Sequence, residues 1–135
     1  MAGFSTYLAQ MAINHFVRRS AQSVPAGTFL ALFVADPTDN NVTANEVTAP
    51  WYERQEVSSW SAPTGVGTST DNSNQVTFAA VTGSAVTISH VALYDAVTGG
   101  NLLYSAPFTV NGVPVTKVLN VDDVFVVAAG DLDID

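Results

Sequence analysis

The first twenty residues carry a hydrophobic pattern that differs from the pattern of the rest of the chain. Apolar side chains recur there at spacings of three and four residues, the period of an amphipathic helix. Ser5 or Thr6 can cap its start, and Arg18 and Arg19 fall in its last turn, where cations suit the negative end of the helix dipole. The pattern predicts one helix over residues 5–20. Its apolar stripe comprises Phe4, Leu8, Met11, Ala12, His15 and Phe16.

After Gly27 the pattern changes to short apolar runs separated by turn residues. The run TFLALFVA, residues 28–35, is continuously apolar and short enough to be a strand that is covered on both faces. Asn111-Gly112 is the strongest hairpin signal, because both central residues of such a turn need positive φ. Seven or eight short strands spaced in this way predict a mainly β fold. We expect an antiparallel β-sandwich or jelly roll with one N-terminal amphipathic helix.

The length of the chain, 135 residues, is that of one domain. We expect residues 1–24 to form the helix and a connector, and residues 25–135 to form the sandwich. The stretch LYDAVTGGNLLYS, residues 93–105, has the features of a tight corner between two strands. Asp95 and Thr98 can bond the turn backbone there, and the Gly-Gly pair permits positive φ. We interpret this stretch as scaffold rather than as a ligand loop.

The net charge of the chain argues against nucleic acids and anionic lipids as binding partners. Twelve acidic residues stand against four basic ones, for a net charge of −8. Nucleic acids and anionic lipids both bind chiefly through clustered cations, so neither is an expected partner. No apolar run approaches the length of a membrane-spanning helix. The opening MAGFSTYLAQ lacks the charged leader and apolar block of a secretory signal, and we expect synthesis in a cytoplasm.

The residues that could bind a metal ion or act as a catalytic base lack the partner residues that such a site requires. His15 and His90 have no second ligand at zinc spacing. His90 alternates with Ile88 and Ala92, which predicts that it lies on their face of a strand, partly buried and bonded to a carbonyl. The acidic stretch of residues 35–46 lacks the spacing of a calcium loop, and its Asp-Pro and Asp-Asn pairs are ordinary turn formers. Cysteine is absent.

The acidic residues at the end of the sequence and the many serines also have simple structural explanations. Asp131, Asp133 and Asp135 project to one side of a strand and form either a solvated face or one that docks against a basic partner. No serine lies in a nucleophile elbow, and no carboxylate pair is marked out by its spacing. We therefore expect no enzymatic activity, no cofactor and no bound metal.

Three aromatic residues near the polar loops leave two interpretations open. Trp51, Tyr52 and Trp60 lie outside the apolar runs, and such rings are favoured where one side is apolar and the other meets solvent or a partner. They either form an interface or close the end of the sandwich.

Four segments stand in a recognisable order: MAGFSTYLAQ, ALFVADPTDN followed by NEVTAPWYERQEV, HVALYDAVTGGNLLYSAPFT, and VDDVFVVAAGDLDID. In that order and spacing they resemble the small virion proteins of tailed bacteriophages, both the phage tail fibre-like type and the capsid decoration, or cement, type. The resemblance covers nearly the whole chain. It implies a virion structural protein, made in the cytoplasm of a bacterial host, with a β-sandwich fold and without catalytic residues.

The resemblance leaves two roles. We expect a capsid decoration protein that stabilises the shell through oligomeric contacts, because a domain of 14.1 kDa is too small to be a whole fibre. Its partners would be the major capsid protein or other virion proteins, and further copies of itself in a dimer or trimer. The alternative is a tail fibre or baseplate component that binds a host-surface carbohydrate or receptor. The candidate interface residues are Phe4, Leu8, Met11 and Phe16 on the helix and Trp51, Tyr52 and Trp60 in the loops.

Overall fold

The computed structural model of the chain describes residues 3–63 and 65–135. These residues form a mainly β structure in which the paired strands are antiparallel, with one short helical segment near the N-terminus, as the pattern predicts. The described residues contain thirteen strands rather than seven or eight, because three of the predicted strands are each divided in two and two short strands, at Gly3–Phe4 and Thr70–Asp71, form where none is predicted. The strands are β1 (Gly3–Phe4), β2 (Phe29–Phe33), β3 (Gln55–Glu56), β4 (Thr70–Asp71), β5 (Val76–Thr77), β6 (Val86–Ile88), β7 (His90–Tyr94), β8 (Leu102–Pro107), β9 (Thr109–Val110), β10 (Val113–Pro114), β11 (Lys117–Leu119), β12 (Val126–Val127) and β13 (Asp133–Ile134).

The N-terminal helical segment is shorter than its pattern predicts. The α-helix α1 spans Thr6–Ala12 and continues into a π-helical turn at Ile13–Val17. Ser5 is its N-cap, and the Ser5 hydroxyl accepts a hydrogen bond from the backbone N–H of Leu8 at 3.0 Å. The backbone of Arg19 is left-handed, with φ of 57°, so the chain leaves the helix before residue 20. Arg19 therefore lies beyond the last turn in which its pattern places it.

One sheet of five strands, in the order β1-β8-β7-β2-β3, forms the centre of the fold. Leu30 and Leu32 of β2 belong to the main hydrophobic core, whereas Ala31 and Phe33 belong to a second cluster on the opposite face. All four side chains are fully buried. The prediction of a strand covered on both faces is confirmed.

Two-stranded ribbons pack against the main-core face of this sheet. The β6–β11 ribbon contributes Ile88 and Leu119 to the core, and the β5–β12 ribbon contributes Val76. Phe78 and Phe125, with ring centroids 5.8 Å apart, complete the layer. The arrangement is sandwich-like because the sheet and the ribbons bury apolar side chains between them.

Ser89 divides one predicted strand between two layers. Its backbone N–H donates to the Phe33 carbonyl at 2.9 Å, and its carbonyl accepts from the Phe108 N–H at 2.7 Å. Ile88 consequently lies in the main core while Ala92 lies in the second cluster, so the predicted common face of these residues with His90 is wrong. His90 is half-buried, and burial lowers its pKa. Among the described residues the hydrogen-bond partner of its Nδ1 is the Ser89 hydroxyl, at 2.9 Å, instead of the predicted carbonyl.

A tight turn and a buried asparagine fix the C-terminal part of the chain. Asn111 and Gly112 have φ of 51° and 76° between β9 and β10, which confirms the predicted hairpin. Asn72 is fully buried, and its side chain accepts from the Leu132 N–H at 2.8 Å and donates to the Ala128 carbonyl at 2.9 Å. Asn72 thereby holds the segment that contains Leu132 against the main core.

Candidate interaction surface

The loop aromatics lie in the core or pack against it, and they do not form an exposed platform. Trp51 is 9% exposed and belongs to the main core. The Tyr52 ring stacks on Phe78 with centroids 6.2 Å apart, and the Trp60 indole N–H donates to the Thr28 hydroxyl at 2.9 Å. This geometry matches the interpretation in which the three rings close one end of the sandwich, since a stacking platform needs an exposed ring face.

A buried ion pair lies beside these rings, and the sequence pattern does not single it out. Arg54 is 6% exposed, and its Nε and Nη2 donate to the two carboxylate oxygens of Glu46, each at 2.7 Å. The guanidinium carbon lies 3.6 Å from the centroid of the Tyr94 ring. Tyr52 also donates its hydroxyl proton to Glu46 at 2.8 Å. Such a two-pronged pair, with its lone pairs satisfied, is a structural clamp.

Arg54 also holds the corner that the sequence marks at residues 95–101. Its Nη1 donates to the carbonyls of Ala96, at 3.0 Å, and Gly99, at 2.7 Å. The Asp95 carboxylate accepts from the backbone N–H of Asn101 at 2.6 Å. The two glycines of the corner have φ of 60° and 70°. These bonds agree with the interpretation of the corner as scaffold.

Burial of this cluster shifts the pKa of its members. Burial raises the pKa of Tyr52 far above its ordinary value and that of Tyr94 to about 12. Burial alone would lower the pKa of Arg54, but the hydrogen bonds and negative charge of Glu46 outweigh it, and the pKa lies above its ordinary value. The cluster therefore keeps a charged arginine and neutral tyrosines at every physiological pH.

The same shifts predict an alkaline limit to stability. The pKa of Tyr94 rises from 10.0 to about 12 on folding, so above pH 10 the unfolded chain binds fewer protons than the folded chain. Stability is thus fully present below the unfolded pKa and is lost as pH rises through the folded one. We expect the thermal midpoint to fall steadily between pH 10 and 12, and to fall less steeply in Tyr94→Phe. A midpoint independent of pH across that window would contradict the prediction.

The segment of residues 13–25, which we call the N-terminal arm, exposes its apolar side chains instead of burying them. The exposed fractions are 53% for Ile13, 78% for Phe16, 74% for Val17 and 89% for Val24. A shallow groove of about 250 Å³ runs between the helical segment and residues 22–25. Exposed apolar side chains gathered in this way are typical of surfaces that bind a protein, a membrane or another ligand.

The other predicted interface residues of the helix lie nearer the body of the domain. Leu8 and Met11 are half-buried, and Leu8 packs against the main core. Phe4 is 54% exposed and meets the Tyr104 ring edge-on, with centroids 6.1 Å apart. The predicted stripe is thus divided, with Leu8 bound to the core and Phe16 left free for contact.

The charge of the arm is opposite to that of the rest of the chain. Arg18 and Arg19 are the only Asp, Glu, Lys or Arg residues among the first 35, and all twelve acidic residues follow them. Arg18 donates to the side-chain oxygen of Asn14 at 2.9 Å, and within the described residues neither arginine forms an ion pair. The arm therefore presents a positive and apolar surface on an acidic protein.

A polar pocket of about 270 Å³ opens where the start of α1 meets the loops around residues 40 and 101. Asn40 accepts from the Thr6 hydroxyl at 3.2 Å, which leaves its amide N–H groups without a hydrogen bond among the described residues. The side-chain oxygen of Asn101 is likewise open, because its amide nitrogen is the atom that bonds Asp95, at 2.9 Å. The pocket offers both donors and acceptors. The side chains around it are Tyr7, Gln10, Asp39, Asn40, Asn41 and Asn101.

Comparison with protein families identifies the group to which this architecture belongs. Residues 3–135 match the model of a family described as podophage GP4 fiber I protein gp80. The chain belongs to this family. It is therefore a virion structural protein of the fibre type, and the resemblance to tail fibre-like phage proteins is confirmed. No curated protein matches the chain.

Two further observations concern membranes and metal ions. The described residues contain no helix that is long and apolar enough to cross a membrane. In residues 3–63 and 65–135, no three or more histidine, cysteine or acidic side chains are grouped so that they could hold a metal ion.

Proposed function

We propose that the protein is a non-enzymatic subunit of a phage tail fibre and that its N-terminal arm anchors it to another virion subunit. The observation that carries this proposal is the exposure of Ile13, Phe16, Val17 and Val24 on a domain whose tryptophans are buried or half-buried. Burial of apolar surface contributes roughly 25 cal/mol for each Å² removed from water, so covering this arm would favour assembly. The family description supports the fibre as the place of assembly.

The buried charged cluster supports a role without catalysis. Arg54 and Glu46 use their hydrogen-bonding groups on each other, on Tyr52 and on the corner carbonyls. A catalytic acid or base must reach a substrate, and these groups are turned to the scaffold. The proposal therefore assigns them to stability.

Location on the particle tests the proposal directly. An image reconstruction of the virion, combined with the copy number from mass spectrometry, should place the protein on the tail in a small multiple of the tail symmetry. A copy number comparable to that of the capsid subunits, with density on the shell, would instead support the decoration role expected from size.

Removal of apolar surface from the arm tests the anchoring role. Phe16→Ser/Val17→Ser should leave the thermal midpoint nearly unchanged, because both side chains are more than two-thirds exposed, at 78% and 74%. Its incorporation into virions should fall by about tenfold or more, since the lost contact area contributes to binding but not to folding. Val66→Ser, at a side chain that is fully exposed elsewhere, is the matched control. Normal incorporation of the double variant would contradict the proposal.

The polar pocket favours a second candidate function, the binding of a host-surface carbohydrate. Hydroxyl-rich ligands need several donors and acceptors that converge on one cavity, and Asn40, Asn101 and Gln10 offer them here. Binding of the purified protein to a glycan array, lost in Asn40→Ala/Asn101→Ala and kept in Trp51→Phe, would support this function. An array without any bound glycan would exclude the pocket as a receptor site.

A further inference from the structure

An apolar groove opens on the side of the domain formed by the C-terminal segment and the β9–β10 hairpin. Its volume is about 580 Å³, within the range of roughly 300–1,000 Å³ typical of protein binding pockets. Leu30 and Phe125, both almost fully buried, form part of its floor, so the groove reaches the main core. None of its lining residues belongs to the N-terminal arm. The apolar lining consists mainly of Leu30, Val91, Phe108, Phe125, Val127 and Leu132.

The rim of the groove is acidic where the C-terminal segment borders it. Asp131 lines the groove, and Asp133 lines an adjoining crevice that shares Leu132 with it. Asp133 is also paired directly with Asp71 across the β4–β13 ribbon. Like charges directly opposite each other destabilise a ribbon, and a cation placed beside them removes that repulsion. Lys117 lines the groove as well, so a cationic partner must approach from the Asp131 side.

We propose that the groove of one copy receives the N-terminal arm of a second copy. The arm carries the features that the groove lacks: exposed Phe16 and Val17, followed at once by Arg18 and Arg19. Seating the two apolar side chains in the groove brings the two arginines to Asp131 and Asp133. This inference rests on the proposed function, because it names the partner of the same arm.

Charge also selects this contact over a symmetric one. If two arms met face to face, Arg18 and Arg19 of both copies would lie together with no carboxylate of the arm to balance them. A contact between arm and groove pairs unlike charges instead. Because the two surfaces differ, the contact is head-to-tail, and it closes into a ring or continues as a filament, depending on the rotation at each step.

Charge exchange tests the contact in the full-length protein. The Arg18→Glu/Arg19→Glu variant has an altered arm and an intact groove, and Asp131→Lys/Asp133→Lys has the reverse. We expect each variant to be monomeric in sedimentation velocity at concentrations where the unaltered chain associates, with at least about tenfold weaker self-association. An equimolar mixture should form a one-to-one complex, because the glutamates of one arm meet the lysines of the other groove. Glu53→Lys/Glu56→Lys, an equal charge change at exposed sites away from the groove, should associate like the unaltered chain.

Cross-linking provides a measurement that does not depend on charge. The chain has no cysteine, so one introduced thiol per copy reports only contacts between copies. Phe16→Cys mixed with Val110→Cys, whose side chain lies on the groove and is 53% exposed, should form a disulfide-linked heterodimer on oxidation. Phe16→Cys mixed with Val66→Cys should not.

The outcomes separate this inference from the proposed function. A mixture of the charge variants that stays monomeric, or an arm variant with glutamates that associates more tightly than the unaltered chain, would overturn the arm-to-groove contact. If Phe16→Ser/Val17→Ser is nevertheless lost from virions, the arm anchors to a different virion protein and the proposed function stands. Normal incorporation of that variant would overturn the proposed function itself.

Discussion

Replacing Arg54 by alanine should lower the free energy of unfolding by about 3–5 kcal/mol, as expected when one partner of a buried ion pair is removed. The loss leaves the Glu46 carboxylate, whose side chain is 16% exposed, without its cation. It also leaves the carbonyls of Ala96 and Gly99 without their donor. Urea unfolding followed by circular dichroism measures the change.

Two matched variants show whether the ion pair causes this loss. Arg54→Lys keeps the charge but cannot make the two-pronged bond to Glu46 and reach the corner together, so an intermediate loss is expected. Arg54→Met/Glu46→Leu removes both charges and should be less destabilised than Arg54→Ala, because no unpaired charge stays buried. If the double variant is the less stable of the two, the loss comes from packing rather than from an unpaired carboxylate.

Gly100→Ala should destabilise the fold by about 3 kcal/mol, because strain and a steric clash act together at this position. Gly100 has φ of 70°, a conformation that side chains with a Cβ rarely adopt. An added Cβ would lie 2.5 Å from the Asp95 carboxylate oxygen and 2.6 Å from the Ala96 Cβ. Asp95 would have to move, which weakens its bonds to Asn101. Thermal and urea unfolding measure the loss.

The adjacent glycine is the control for this prediction. Gly99 has φ of 60°, but a Cβ there meets no atom within 4 Å. Gly99→Ala should therefore show the backbone strain alone, about 1 kcal/mol. Equal losses in the two variants would show that the contact with Asp95 has no energetic role.

Local chemistry makes some elements of this fold predictable from sequence. The run of residues 28–35 is short and has apolar side chains in both alternating sets, which is typical of a strand covered on both faces. Asn111-Gly112 and Gly99-Gly100 supply positive φ at adjacent positions, and both turns form as predicted. In each case the signal lies within a few residues and does not depend on the rest of the chain.

Features that depend on residues far apart in the sequence cannot be predicted from a local pattern. Arg54 stands between polar residues and looks solvent-exposed, yet its burial depends on carbonyls more than forty residues away. Trp51 lies beside loop residues and is nevertheless in the core. At Ser89, two hydrogen bonds to residues distant in sequence interrupt the alternation of side chains between the two faces of the predicted strand. The sequence pattern predicts that this alternation is continuous. The arm and the groove become a candidate pair only once exposure is known, because apolar residues at helical spacing usually indicate core.

The two-residue strand β1 covers the outer edge of β8, through pairs from Gly3 to Ser105 and from Phe4 to Tyr104. An uncovered strand edge is a template for foreign strands. Trimming the chain past Phe4 would therefore expose the β8 backbone to strand exchange and amyloid-like aggregation. Strand β1 thus protects the chain from aggregation in addition to any role in assembly.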